Sequence, residues 1–149
     1  MLALGGCQSL DKGAPSDWIM KGRIIVTTAE SSQRLSIYWR QDQQNFEILL
    51  NGTLGTSVAR MVSEDNVHYI DVPGEVRRFS ASPNALLLEA TGLDLPVATL
   101  IPVLSGLKPP GRFEGWQISI LESDEQGRPL QFHVIGADIL IRVTVTQWQ

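Results

Sequence analysis

Leu35-Ser36-Ile37-Tyr38-Trp39-Arg40, the polar run Gln41-Asp42-Gln43-Gln44-Asn45, and then Phe46-Glu47-Ile48-Leu49-Leu50 form the stretch that decides the fold. On both sides of the polar run apolar residues return at every second position, as in strands with one covered face and one wet face. A connection this short favours antiparallel neighbours. The same alternation runs upstream, where Met20, Ile24 and Val26 alternate with Lys21, Arg23 and Thr27. Downstream it recurs in Trp116-Ile118-Ile120, in Leu130-Phe132-Val134 and in Ile139-Ile141-Val143-Val145. Turn residues punctuate these segments at Asn51-Gly52, Ser63 to Asn66, Pro73-Gly74, Asp124 to Gly127 and Gly136-Ala137-Asp138.

One stretch departs from period two. Ser82-Pro83-Asn84-Ala85-Leu86-Leu87-Leu88-Glu89-Ala90-Thr91-Gly92 opens with an N-cap serine and a proline at the first helical position, and it closes on glycine. A second helix is expected after Pro96, from Val97 to Gly106, with a kink or a division into two pieces at Pro102. Both helices are almost wholly apolar and need a covering surface, which the apolar face of a single curved sheet supplies. The expected fold is therefore mainly β (α+β), with residues 18–149 as one domain. Its architecture is a strongly curved antiparallel sheet, an incomplete β-barrel, with the helical insert packed into the concavity. The apolar inventory is large for such a core and fits either an internal ligand cavity or dense packing.

The 149 residues suffice for one core, and 12 Lys+Arg against 16 Asp+Glu argue against nucleic-acid binding. One cysteine excludes an internal disulfide and the paired-cysteine zinc spacings. His68 and His133 fall in strand-like segments without a nucleophile motif, and Walker, G-x-G-x-x-G and G-x-S-x-G sequences are missing. The two histidines could join Asp71 around a metal, but the ordinary reading is a pair of surface histidines. Arg77-Arg78 is either an anion contact or a solvated strand face, and Asn51-Gly52-Thr53 fits the glycosylation sequon but reads as a turn. The expectation is a protein without catalysis, cofactor or metal.

Two local features carry more. Leu4-Gly5-Gly6-Cys7 resembles the bacterial lipoprotein signal box, in which the cysteine thiol receives a diacylglyceryl group. Residues 1–6 then read as the remainder of a signal peptide and 7–17 as a lipidated tether rich in Gly, Pro, Ser, Asp and Lys. Only six residues precede Cys7 and none is charged, so Met1 is expected to lie inside a longer signal. The second feature is Asn51-Gly52-Thr53-Leu54-Gly55-Thr56, which sets a leucine at a hairpin tip. In water such a leucine forgoes about 1.5–3 kcal/mol of burial, so it either folds back onto the sheet or meets an apolar partner.

These features together resemble the LolB family of outer-membrane lipoprotein receptors. The resemblance runs through Lys21-Gly22-Arg23, Trp39-Arg40-Gln41, Leu49 to Gly55, Thr91-Gly92-Leu93-Asp94-Leu95-Pro96, Leu104-Ser105-Gly106-Leu107 and the closing strand ending at Trp148. It implies an incomplete barrel whose helices cover a hydrophobic cavity. It also implies a receptor that accepts triacylated lipoproteins from the periplasmic carrier LolA and inserts them into the outer membrane. The partners implied are that carrier, the cargo's acyl chains and outer-membrane lipids, for a monomer anchored through Cys7 on the periplasmic face of the outer membrane. Leu54 maps onto the protruding-loop leucine that the family uses at the membrane. The expected acyl-chain cavity is walled by Ile24, Val26, Leu35, Ile37, Trp39, Phe46, Ile48, Ile118, Ile120 and Phe132 from the strands and by Leu87, Leu88, Leu100 and Leu104 from the helices. Thr53 and Val103 stand where the family usually has proline and tryptophan, which implies a looser loop and a differently shaped lid. The tether from Cys7 to Trp18 is too short for both a leash and the N-terminal helix that some members carry, which implies a smaller lid. A lipid- or amphiphile-binding envelope lipoprotein, carrier or structural, is the alternative.

Overall fold

The structure is a computed structural model and describes residues 17–149, so Cys7, the signal remnant 1–6 and nearly all of the tether lie outside the described residues. The chain first runs as a meander of strands β1 (Trp18–Thr28), β2 (Ser32–Asp42), β3 (Asn45–Asn51), β4 (Ser57–Glu64), β5 (Val67–Asp71) and β6 (Arg78–Ser80). Helices α1 (Pro83–Thr91) and α2 (Val97–Leu104) follow, and then β7 (Gly111–Phe113), β8 (Trp116–Ser123), β9 (Pro129–Ile135) and β10 (Ile139–Trp148). All pair antiparallel in one ten-stranded sheet of order β6-β5-β4-β3-β2-β1-β10-β9-β8-β7.

The last strand thus returns to the first, and the two halves of the chain share the sheet's centre. The short strands β6 and β7 are its edges; they do not pair, so the strongly curved sheet is not closed into a barrel. The insert carrying α1 and α2 connects these two edges. It crosses the concave face at the place where a closed barrel would need none.

Alternation placed most core-facing residues; Trp116, Ile120, Leu130 and Ile139, at the ends of their strands' patterns, are only partly buried. Trp18, Met20, Ile24 and Val26 on β1, Leu35, Ile37 and Trp39 on β2, and Phe46, Ile48 and Leu50 on β3 are all buried in one cluster. Ile118, Phe132, Val134, Ile141, Val143 and Val145 complete it from the other half. Register extends the pattern across strands, with Trp39 opposite both Met20 and Ile48.

Helix α1 is bounded as its residues require. The Ser82 side chain accepts a hydrogen bond from Ala85 N–H, Pro83 begins the helix, and Gly92 ends it in the left-handed region at φ 78. Of the two outcomes expected at Pro102, a kink or a division, the division does not occur: α2 continues from Val97 to Leu104 with Pro102 inside it. Pro102 has no N–H to give the Ala98 carbonyl, so the helix lacks one bond at this turn and still continues to Leu104. Among the described residues no helix is long and apolar enough to cross a membrane.

The β1–β10 pairing shifts register between Lys21 and Gly22, and there the backbones come close. A Cβ on Gly22 would overlap the Thr144 carbonyl oxygen of β10. Glycine is needed for this contact, which joins the two halves of the sheet. Gly22→Ala is expected to destabilise the protein by about 1–3 kcal/mol through overpacking. A denaturant titration showing an unchanged midpoint would contradict the close approach.

Candidate functional site

The loop after β3 is built to present its tip. Gly52 N–H donates to the Thr56 carbonyl (2.8 Å), and Gly55 N–H donates to the Gly52 carbonyl (3.0 Å). Gly55 takes φ +81, a conformation strained for other residues. Thr53 and Leu54 occupy the middle of this tight turn, and Leu54 is 94% exposed. Of the two readings left open by sequence, folding back onto the sheet is therefore excluded.

The expected acyl-chain residues divide less evenly. Ile24, Val26, Leu35, Ile37, Trp39, Phe46, Ile48, Leu87, Leu100, Leu104, Ile118 and Phe132 are all buried, and the insert and the sheet meet there in one apolar cluster. Ile120 is only partly buried at its edge. Leu88 is a correction: it is 43% exposed, while Leu86 beside Leu87 takes the inward position on α1. A continuous run of three leucines gives no period from which to choose the covered pair. Val103 is buried and Leu95 and Val97 join the same cluster, so the insert covers the sheet without a tryptophan in α2.

Aromatic rings line one end of the seam. Trp18 lies 5.5 Å from Trp39 and 5.4 Å from Trp148 between ring centroids, and Trp39 lies 6.4 Å from Phe46. Their polar atoms are satisfied: Trp39 Nε1 donates to Gln41 Oε1 (3.0 Å) and Trp148 Nε1 to the Pro129 carbonyl (2.7 Å). Trp18 Nε1 donates to Ser105 Oγ (2.9 Å), which ties the end of α2 to the start of β1. Sequence reasoning missed this tie, because nothing local pairs residues so far apart in the chain.

The histidines are apart. His68 on β5 stacks on Phe46 at the concave side, whereas His133 sits on β9 between the buried Phe132 and Val134, with five strands intervening in the sheet. Asp71 is engaged elsewhere, accepting two hydrogen bonds from Arg77 (2.8 and 3.0 Å). Those bonds, against the opposing effect of desolvation, hold its carboxyl below the usual carboxylate range. Among the described residues no cluster of three metal-ligating side chains forms. Arg77 also stacks on Tyr69 (4.0 Å) and Arg78 pairs with Glu75 (3.0 Å), so both belong to a solvated, neutralised strand face. The same outer face carries Arg40 and Arg60 on either side of Glu47 (3.5 and 2.6 Å).

Beneath the Leu54 loop lies an open groove of about 510 Å³, lined by Arg23, Ile24, Ile25, Arg34, Leu35, Ser36 and Thr144 on the strands and by Gly52, Thr53 and Gly55 from the loop. The sequence signal for it was present in the outward positions of Arg23 and Arg34, but the groove exists only once the loop is folded beside β1 and β2.

Comparison with known proteins agrees with this geometry. A family model described as LolB, outer membrane lipoprotein LolB, matches residues 16–148. The outer-membrane lipoprotein LolB of Alkalilimnicola ehrlichii is 30% identical over 129 residues, which is 87% of this chain and 62% of that protein. The chain therefore spans less than two thirds of that relative's length. Proteins of the same name from Ectopseudomonas mendocina and Pseudomonas putida (strain W619) are each 28% identical over 151 residues, 89% of this chain and 74% of theirs.

The contrast between tip and seam is measurable. Leu54→Ser is expected to change stability by less than about 0.5 kcal/mol, as at an exposed position without partners. Leu87→Ala should cost about 2–5 kcal/mol by opening a hole in the seam. Thermal unfolding of the two variants checks both; a large loss in the first would mean that the leucine packs.

Proposed function

The chain belongs to the LolB family of outer membrane lipoproteins, and on that premise we propose that it is a non-catalytic receptor which takes triacylated lipoproteins from a LolA-type periplasmic carrier and releases them into the outer membrane. In this reading it acts as a monomer, held at the periplasmic face of that membrane by acyl chains on Cys7. The carrying observation is one molecule that combines an apolar seam beneath a helical cover with a leucine held out in water.

An acyl chain in water costs about 0.8 kcal/mol per methylene, so cargo with three chains needs a shelter between carrier and membrane. The shelter is the seam between the insert and the sheet, with Ile24, Ile37, Ile48 and Phe132 below and Leu87, Leu100 and Leu104 above. These side chains touch one another in the state described, so loading requires the insert to lift and the acyl chains to replace its contacts. Such an exchange of apolar contacts is close to balanced in free energy. Glycines in the left-handed region at Gly92 and Gly106 bracket α2 and supply turning points. Transfer without a fuel requires the membrane to hold the cargo better than the receptor, and the receptor better than the carrier. Leu54 acts at the last step by entering the edge of the bilayer.

The packed seam also favours a second reading, a structural or amphiphile-binding envelope lipoprotein. Native mass spectrometry separates the two: a receptor acquires lipoprotein when mixed with loaded carrier, whereas a structural protein stays unliganded and an amphiphile-binding one carries lipid without taking up lipoprotein. Leu54→Glu tests the membrane step. The variant should accept cargo as well as the unaltered protein but deliver it to membranes at least about tenfold more slowly, the effect of roughly 1.4 kcal/mol. Equal delivery would refute the role of Leu54.

A further inference from the structure

We propose that the groove under the Leu54 loop is a phospholipid-headgroup site, in which Arg23 and Arg34 grip the phosphate of an anionic lipid while the leucine enters the hydrocarbon. The inference rests on the membrane role of Leu54 and adds a chemical partner to it.

Arg23 on β1 is exposed between the buried Gly22 and Ile24, and Arg34 on β2 is exposed beside the buried Leu35, so both stand on the outer face. Arg23 pairs with Ser36 and Arg34 with Ile25 in the β1–β2 register. The two arginines are therefore diagonal neighbours, about 7–8 Å apart at their origins, a spacing that lets two guanidinium groups close on one phosphate. Arg142 on β10, opposite Ile25 in the next register, adds charge on the same face.

Charge balance marks this place: among the described residues Arg112 and Arg142 also form no ion pair, but only here do two such arginines line one groove. Arg40, Arg60, Arg77, Arg78 and Arg128 each form an ion pair with a carboxylate. Among the described residues Arg23 and Arg34 form none, and no Asp or Glu lines the groove. In a chain of net charge −4, two such arginines under an exposed apolar tip form a local positive site that no carboxylate among the described residues neutralises and that suits an external anion.

Depth selects the anion. The headgroup layer on each side of a bilayer is about 5–8 Å thick. Arg23 and Arg34 line one groove with Gly52, Thr53 and Gly55, the residues that hold Leu54. A leucine just inside the hydrocarbon therefore brings the groove to the level of lipid phosphates.

Vesicle co-sedimentation of the folded domain tests this, with phosphatidylcholine vesicles compared with vesicles that also contain phosphatidylglycerol. The unaltered protein should prefer the anionic vesicles, and added salt should weaken that preference. Arg23→Gln/Arg34→Gln should lose about 25-fold in affinity for anionic vesicles, about fivefold per basic residue, while its binding to phosphatidylcholine changes little. Arg23→Lys/Arg34→Lys should keep most of the preference. Indifference of the unaltered protein to phosphatidylglycerol would overturn the proposal, as would a glutamine variant that keeps the preference. So would a glutamine variant that binds vesicles normally but no longer accepts cargo, since the arginines would then meet the carrier. Leu54→Glu separates this proposal from the one it rests on: reduced binding to both vesicle types with the anionic preference kept supports both. Unchanged binding removes the leucine's role and leaves the headgroup contact to be judged by the arginine variants.

Discussion

An antiparallel sheet that curls without closing has an apolar concave face that cannot be left in water, and this constraint organises the molecule. Ten strands leave β6 and β7 as unpaired edges, and the chain between them is spent on two short apolar helices laid over the opening. Twelve strand and helix positions expected to face inward are buried together there. A closed barrel of these strands would bury the same residues permanently. The open one covers them with a segment bounded by turns and joined at its far end to β1 by the Trp18–Ser105 hydrogen bond.

Much of this was legible in the residues. Period two placed Ile24, Leu35, Trp39, Phe46 and Phe132 inside, and the caps at Ser82 and Gly92 fixed α1 within a residue. Where the period vanished, so did the reading. Leu86-Leu87-Leu88 offers three equivalent side chains, and only the packing of α1 on β4, β5 and β6 chooses the first two. Pro102 suggested a kink or a break in α2, because proline cannot donate to the carbonyl four residues before it; in this short helix that removes one bond, to Ala98, and the helix runs on. The strands β6 and β7 are too short to show any alternation. The Trp18–Ser105 tie and the groove under Leu54 depend on long-range placement that no local pattern records.

Apolar surface is distributed with two purposes. The seam conceals it, and the outer face largely neutralises its charges through the Arg40–Glu47–Arg60 and Asp71–Arg77 contacts. Exposed surface pairs of this kind add little stability, about 0–1 kcal/mol each, but they leave little net charge on that face. Against this background, the exposed Leu54 tip stands above two arginines that form no ion pair among the described residues, an apolar feature beside a cationic one. In the proposed function both parts share a purpose, one holding acyl chains and the other meeting the layer that receives them, and the LolB family match is what motivates that reading.

The central claim is that the seam between the insert and the sheet opens to hold acyl chains. Its most direct test is a photo-crosslinking side chain at Leu100, a seam residue of α2, during hand-over from a loaded LolA-type carrier to the domain lacking Cys7. The account predicts that the label attaches to the lipoprotein's acyl chains once cargo is accepted, and to the domain's own sheet residues when no cargo is present. Attachment to the sheet alone, while cargo is demonstrably bound, would contradict it.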